Sequence, residues 1–392
     1  MPFALYLLAL AVFVMGTSEF MLAGLLPAIA TELGVPLGTA GLLTSAFALG
    51  MVIGAPVMAA FARRWPPRLT LLLCLLLFAA SHVIGAITPL FSILLITRVL
   101  GALANAGFLA VALSAAGTLV PENQKGRALS ILLAGTTLAT IAGVPAGALL
   151  GTAMGWRTTF WAIAVLCIPA AIGILRGLGP TAGQPADASG APRLRVELGE
   201  LATPRLILAL GLGALVNGGT FAAFTFLAPV VTEHAQLAEG WIPVALVIFG
   251  GGSFLGVTLA GRLADRHSGA VLAFGGPLLL AGWVALALSA SHPGALIILL
   301  FVQGALSFGV GSTLITQVLY AASGAPTMGG SYATAALNIG AAAGPALGAF
   351  GLATGLGLLS PIWVASALTA IALLIMPLAG RTQAKTPADA NC

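Results

Sequence analysis

Residues 4–27 read ALYLLALAVFVMGTSEFMLAGLLP, an unbroken apolar run that carries one charged side chain, Glu19. Wound as an α-helix at 1.5 Å per residue, such a run reaches roughly 35 Å, more than the ~30 Å hydrocarbon core of a bilayer. It shows no alternation of polar and apolar positions, and neither does LLLCLLLFAAS at 71–81. Strands of an outer-membrane barrel would read as alternating segments of about 10 residues. No Lys or Arg precedes the run and a further apolar segment follows it, so it reads as a retained span and not as a secretory leader.

The rest of the chain repeats this pattern. Apolar runs between punctuating residues give twelve expected spans, near 4–27, 39–61, 69–88, 90–113, 128–150, 156–175, 206–229, 241–261, 270–290, 294–317, 327–350 and 358–379. Of 392 residues 59% are apolar and only 6% charged, with a mean hydropathy of +1.10. A soluble chain would carry about a quarter of its residues charged, so the soluble classes are excluded. Disordered and disulfide-stapled scaffolds go too, because the chain is apolar and has three scattered cysteines. Cys74 and Cys167 read as buried, unpaired thiols, and Cys392 as the end of the tail. The expected fold class is an all-α integral membrane protein.

Basic residues orient the spans. With the N-terminus in the cytoplasm, thirteen of the fifteen Lys and Arg fall on the inner side: Arg63, Arg64, Arg68, Lys125, Arg127, Arg176, Arg193, Arg195, Arg205, Arg262, Arg266, Arg381 and Lys385. Arg157 lies outside and Arg98 within a span. The net charge of +5 is therefore a topology signal, and no basic patch interleaved with aromatics suggests nucleic acid. The N- and C-termini are expected in the cytoplasm, the chain in the inner membrane.

The segment GLGPTAGQPADASGAP at 177–192 has a linker composition, and RLRVELGEL at 193–201 reads as a short amphipathic helix on the inner membrane surface. The expected division is a six-helix half at 1–176, a linker at 177–205, a second six-helix half at 206–380 and a tail at 381–392. The halves echo one another. LGALANAG around Gly101 answers QGALSFGVG around Gly304, LLPAIATE answers LAPVVTE, and FARRWPPR answers LADRHSG. An internal repeat at an offset of about 200 residues is the mark of a secondary transporter with a site near the membrane midplane.

With these repeats, the runs GTSEFMLAGLLPAIATELGV, GWRTTFW and NIGAAAGPALGA resemble the drug:proton antiporter branch of the major facilitator superfamily, near its actinomycete chloramphenicol-resistance exporters. The resemblance implies twelve spans in two pseudo-symmetric halves and export of a small neutral antibiotic, chloramphenicol first, against protons. It assigns Glu19 and Pro27 to the first-span motif, Arg98 to the fourth-span motif, and Gly143 with Pro145 to the fifth-span motif that prevents leak. The loop motif is intact after the eighth span as Gly261, Asp265 and Arg266. After the second span the same slots hold Ala59, Arg63 and Arg64, and a later Gly is Pro66. The fourth-span motif departs as well, with Gly101 and Ala102 in place of Gln-Gly.

Glu19 and Arg98 are the charged residues well inside expected spans. An ion at the bilayer centre costs at least about 3 kcal/mol, so such residues mark function by default and are usually paired. Glu19 lies eight residues before Pro27 and Arg98 nine after Pro89, which puts both at roughly the same depth. A Glu whose water access and distance to Arg98 change between two states can load and release a proton. The bland alternatives are a packing salt bridge or an Arg that snorkels outward. The second half holds Thr220 or Phe221 in the matching place, and one acid suffices to exchange one proton for a neutral drug.

Asn105 shares a helical face with Arg98; Asn217, Phe221 and Phe224 share one in the seventh span, and Ser331, Thr334 and Asn338 one in the eleventh, with Gln303 and Gln317 in the tenth. Apolar walls with a few amides suit an aryl ligand carrying hydroxyls, and the alternative is that the amides bond helix to helix. His82 reads as a packing residue before a proton relay, while His234, His267 and His292 lie in loops and form no ligand cluster. Gly143, Gly147 and Gly151 form a flat stripe matched by Gly340, Gly344 and Gly348, with Pro145 and Pro345 beside them, surfaces on which rocking halves would slide.

Other classes fare worse. No GxxxxGK[ST] is present, which excludes an ATP-driven pump on this chain, and GxGxxA at Gly177, Gly179 and Ala182 falls in the linker with no strand before it. No paired acids, His cluster or Ser/His arrangement points to an enzyme, and no cofactor or metal is expected. The runner-up cargo is a sugar or another small metabolite, and the rival class is a channel or non-transporting scaffold. The expected partners are a small-molecule drug, protons and the lipid bilayer, with the chain monomeric.

Overall fold

The computed structural model describes residues 2–61, 65–121, 124–178, 197, 199–201, 203–325 and 328–383, with the backbone alone at 59–61, 114, 118, 264–267 and 378–383. The described residues form helices and no strand. Twelve are long and apolar enough to cross a bilayer: Phe3–Phe20, Leu37–Met58, Pro67–Ile87, Phe91–Gly117, Lys125–Met154, Trp156–Gly177, Pro204–Thr225, Trp241–Leu263, Ser268–Ser289, Pro293–Ala321, Gly329–Ala353 and Ser360–Pro377. They are called the first to twelfth spans below. The polarity of the bundle fits lipid: Leu73, Leu76, Leu77 and Ile84 of the third span are exposed, while Ser81 and His82 of the same helix are buried.

Three spans are locally rewound. The first breaks at Met21 and resumes as Leu22–Leu33, which carries Pro27 and ends on Gly34 in the left-handed conformation at φ 62°. The fifth contains a π-turn, Ala139–Gly143, in which the Val144 N–H reaches back to the Ala139 carbonyl just before Pro145. The seventh breaks at Phe226 and passes through Pro229 into a second π-turn, Val230–His234. A proline cannot donate to the ladder, and in the fifth and seventh spans the disturbed stretch beside it takes the wider turn.

Helical hydrogen bonding runs unbroken over Trp241–Ser289, although the sequence suggests a loop at Gly261–Arg266. Contacts still divide this run into two spans. Gly252 and Gly256 meet Phe301 and Ala305, whereas Gly275 and Gly282 meet Val310 and Gln303. The two parts therefore run along the tenth span in opposite directions. Gly261 is exposed, and the side chains of Asp265 and Arg266 lie outside the described residues. So do Arg63, Arg64, Arg193, Arg195, Lys385 and most of the linker.

The repeat seen in the sequence is a repeat of contacts. The first span packs on the fifth and sixth, the second on the fourth, and the third on the fourth and sixth. The seventh packs on the eleventh and twelfth, the eighth and ninth on the tenth, and the ninth on the twelfth. Between the halves the second span meets the eleventh and the fifth meets the eighth, pairs that exchange under the same repeat. The described end of the linker packs against the C-terminal half, while most of 193–201 lies outside the described residues. Glu197 is buried and its carbonyl accepts from the Tyr332 hydroxyl at 2.9 Å, while Leu201 packs against the cluster of Leu206 and Val318.

Candidate functional site

The halves meet along two pairs of spans, the second with the eleventh and the fifth with the eighth. Gly38 faces Ala349, the Ser45 hydroxyl donates to the Ala342 carbonyl at 2.7 Å, and Ala48 packs with Phe221 and Ala341. On the other side of the bundle Gly24 faces Ala148 and Leu246, and Gly250 faces Thr140 and Ile141. Gly38, Ala349, Gly24, Ala148 and Leu246 lie toward the ends of their spans that are remote from Arg68, Lys125, Arg127, Arg176, Arg205 and Arg262, whereas Ala48, Ala341, Gly250, Thr140 and Ile141 lie near the middles of theirs. That remote end is also where Arg157 sits, clamped to Glu32 at 2.7 Å and to the Ala86 and Thr88 carbonyls at 2.8 Å, with Trp156 donating to the second Glu32 oxygen at 2.7 Å. The clamp ties the ends of the first, third and sixth spans, and at the opposite end Arg68 Nη2 donates to the Leu175 carbonyl and ties the third span to the sixth again.

Glu19 stands half-buried where the first span breaks. Asn105 and Arg98 of the fourth span are the polar groups nearest in effect to its carboxyl group. The two charged residues are not in contact. Arg98, 2% exposed, donates instead from Nη1 to the Ser18 hydroxyl at 2.9 Å and from Nη2 to the Ser18 carbonyl at 2.8 Å, with its guanidinium 4.4 Å above the Phe47 ring. Its Nε has no partner. The Ser18 hydroxyl also lies 2.7 Å from His82 Nε2, and His82 Nδ1 lies 2.8 Å from the Phe78 carbonyl. A carbonyl only accepts, so Nδ1 carries the ring proton toward Phe78 and Nε2 accepts the Ser18 proton. His82 thus belongs to the polar network, a place that the sequence reading gave to packing.

Aromatic rings continue from Glu19 across the gap between the halves. Phe20 lies 5.6 Å from Phe221 and 6.4 Å from Phe224; Phe224 lies 4.9 Å from Phe249, and Phe249 lies 6.2 Å from Phe308. Two small pockets flank this row. One of about 220 Å³ lies between the halves, lined by Phe20, Thr140, Val144, Phe224 and Phe308 among others. The second, of about 280 Å³, lies within the C-terminal half against Trp283, Leu300 and Ile362. The two share Phe224 and Phe249.

The amides are distributed differently from the expectation. Asn105 is brought to Glu19, with its Nδ2 also 3.7 Å from Met51 Sδ. Asn217 Nδ2 donates to the Leu337 carbonyl at 2.7 Å and ties the seventh span to the eleventh, and Asn338 Nδ2 donates to Thr334 of its own helix at 2.9 Å. Gln303 is fully buried against Gly282 and donates to the Leu279 carbonyl at 3.2 Å, so it joins the tenth span to the ninth and does not line the gap. A buried amide takes the nearest unpaired backbone group. Gln317 is half-buried.

The glycine stripes likewise act within each half. A Cβ on Gly143 would collide with Thr17, on Gly147 would press on Thr159, and on Gly151 would collide with Leu25, all partners in the N-terminal half. A Cβ on Gly340 or Gly344 would strike the backbone of Ala214 or Gly218, and one on Gly348 would press on Phe226. The halves meet on Gly24, Gly38, Gly41 and Gly250 instead. Pro145 follows its π-turn, whereas Pro345 sits in an uninterrupted helix. Ser18, Phe20, Phe47, Phe249 and Phe308 escaped the sequence reading. The run Gly16–Glu19, polar inside an apolar span, was a signal for Ser18; nothing marks the two C-terminal phenylalanines among the chain's 18.

Twelve spans in two repeated halves are the architecture of a secondary transporter. Residues 8–333 match the Major Facilitator Superfamily, and the chain belongs to it. It is similar over its full length, at 62% identity, to the chloramphenicol resistance protein of Streptomyces lividans, with 100% of both chains covered. It is 32% identical over 389 residues to the inner membrane transport protein YdhP of Escherichia coli K12, covering 99% of each. Among solved structures, a bacterial homologue of the human lysosomal transporter Spinster, inward-facing and unoccupied, superposes with a TM-score of 0.77 over 99% of this chain and 98% of that one at 19% identity, a likeness of fold.

Proposed function

We propose that the chain exports chloramphenicol, and small neutral aryl antibiotics like it, in exchange for protons by alternating access. The cargo rests on the full-length relative named for chloramphenicol resistance. The coupling rests on one observation: Glu19, the lone acid of the embedded bundle, is half-buried beside Arg98 and Asn105 at the seam between the halves. A carboxyl there can exchange its proton with water on whichever side the gap opens, while Arg98 competes for the carboxylate. Phe20, Phe221 and Phe224 supply the apolar wall for an aryl group, and Asn105 a polar contact.

The basic end faces the cytoplasm in this reading, with both termini there and the chain in the cytoplasmic membrane as a monomer. Export requires the contacts of Gly38, Ser45 and Gly250 to part. The test is antibiotic susceptibility. A sensitive bacterium expressing the chain should tolerate more chloramphenicol, with little change for charged antibiotics; no change for any class would overturn the reading.

A further inference from the structure

The hydrogen bonds of Arg98 hold a feature that the exchange scheme does not use. Its guanidinium is held by Ser18, on Nη1 and Nη2, and not by the carboxylate one residue further along the same helix. Ser18 offers two acceptors, its hydroxyl and its carbonyl, and the hydroxyl is aimed because its own proton goes to His82 Nε2. His82 is aimed in turn by Phe78, through a carbonyl four residues earlier on its helix and a ring 4.3 Å away. The chain of donors therefore has one direction, Arg98 to Ser18 to His82 to Phe78, and a neutral imidazole satisfies every link. Its weak point is Arg98 Nε, a buried donor without a partner. A guanidinium with an unmet donor is poised and not parked, because a carboxylate would satisfy what Ser18 leaves open.

We infer that Ser18, held by His82, is the resting acceptor of Arg98 and competes with Glu19 for its guanidinium, so that Ser18 and His82 are positioning residues for proton exchange. The inference rests on Glu19 being the proton carrier. While Arg98 stays on Ser18, the Glu19 carboxyl group is free for a proton; when Arg98 moves to Glu19, the proton is displaced. The groups that bear on Glu19 are few. Arg98 of the fourth span is the charge that acts on it, and the other titratable groups of the neighbouring spans are His82 and Cys74 in the third and Cys167 in the sixth. Residues 37–58, 128–154, 206–231 and 241–261 of the second, fifth, seventh and eighth spans hold no Asp, Glu, Lys, Arg, His, Cys or Tyr. Competition for one guanidinium therefore dominates the local balance.

The experiment is the pH dependence of chloramphenicol-driven proton movement in proteoliposomes, because a midpoint does not depend on how much protein is folded. Ser18→Ala removes the side-chain acceptor and frees Arg98 toward Glu19. Its midpoint should fall by about one pH unit, a tenfold change in proton concentration, the lower end of what an opposite charge at contact does to a carboxyl. His82→Leu loosens the same link and should move the midpoint the same way by less. His82→Gln keeps an acceptor for the Ser18 proton without a titrating ring and should stay near wild type. Wild-type midpoints in both Ser18→Ala and His82→Leu would overturn the inference. A His82→Gln chain that behaves like His82→Leu would overturn it in favour of His82 itself carrying protons. Should His82→Leu fail to fold, Ser18→Ala decides alone, since it deletes a single oxygen. Failure of the underlying reading looks different: Glu19→Gln would then retain proton movement, or wild type would show none.

Discussion

A single carboxyl group has to carry whatever proton coupling the membrane-embedded bundle performs, since Glu19 is its one acid. Glu19→Gln keeps the shape and the Asn105 contact but cannot lose a proton. Drug-driven proton movement and uphill export should fall to background in proteoliposomes, with insertion unchanged on immunoblots of membranes. Export at the wild-type rate would remove Glu19 from the mechanism. Arg98 makes a forked contact, two nitrogens on the two acceptors of Ser18. Lys keeps the charge and loses the fork, so Arg98→Lys should retain partial transport and Arg98→Ala very little. Equal, full activity in both would leave Arg98 a packing role. Residue counting from Pro27 and Pro89 was enough to place Glu19 and Arg98 at similar depth. It could not show that Ser18 stands between them, because lateral neighbours in a bundle come from residues 80 positions apart in sequence.

Elements meet where side chains are absent, and the two kinds of glycine contact do different work. Gly344 lies against the Gly218 backbone inside the C-terminal half, so Gly344→Val must push the seventh and eleventh spans apart. Overpacking of this kind costs about 1–3 kcal/mol or more. The thermal transition of the purified protein should fall by several degrees, whereas Gly211→Ala, on an exposed face with nothing near it, should leave it unchanged. Between the halves the contact is one that must break. The Ser45 side chain reaches the Ala342 backbone, so a Ser45→Cys/Ala342→Cys chain, in a background lacking Cys74, Cys167 and Cys392, should cross-link under oxidation. Transport should stop and return with dithiothreitol; undiminished transport by the oxidised chain would mean that this seam stays closed throughout the cycle. Twelve spans were legible because hydrophobic runs record length directly. The break at Met21 and the π-turns before Pro145 and after Pro229 were not, since a proline marks a disturbed ladder without saying which turn the backbone takes beside it.

At the scale of the whole molecule the two halves are alike in packing and unlike in charge: the place of Glu19 is taken in the second half by Thr220 or Phe221. Repeated motifs pointed to two alike halves, and the contacts of the second span with the eleventh and the fifth with the eighth are related by that same repeat, because a repeat in sequence becomes a pseudo-twofold axis. They could not foretell which residues carry those contacts, which depends on packing and not on composition. The asymmetry of charge has an energetic consequence. If one proton enters for each neutral drug expelled, a cycle moves one net charge inward, and each 100 mV of inside-negative potential contributes about 2.3 kcal/mol, roughly a 50-fold gradient. In proteoliposomes at equal pH on both sides, an inside-negative potassium diffusion potential should drive chloramphenicol outward, and the reversed potential should drive it inward. Collapsing the potential should stop net flux and leave counterflow exchange in place, because exchange moves no charge. Net flux that followed the pH gradient but ignored voltage would mean that a second ion accompanies the proton or that the cargo is charged, and one carboxyl at Glu19 would no longer account for the coupling.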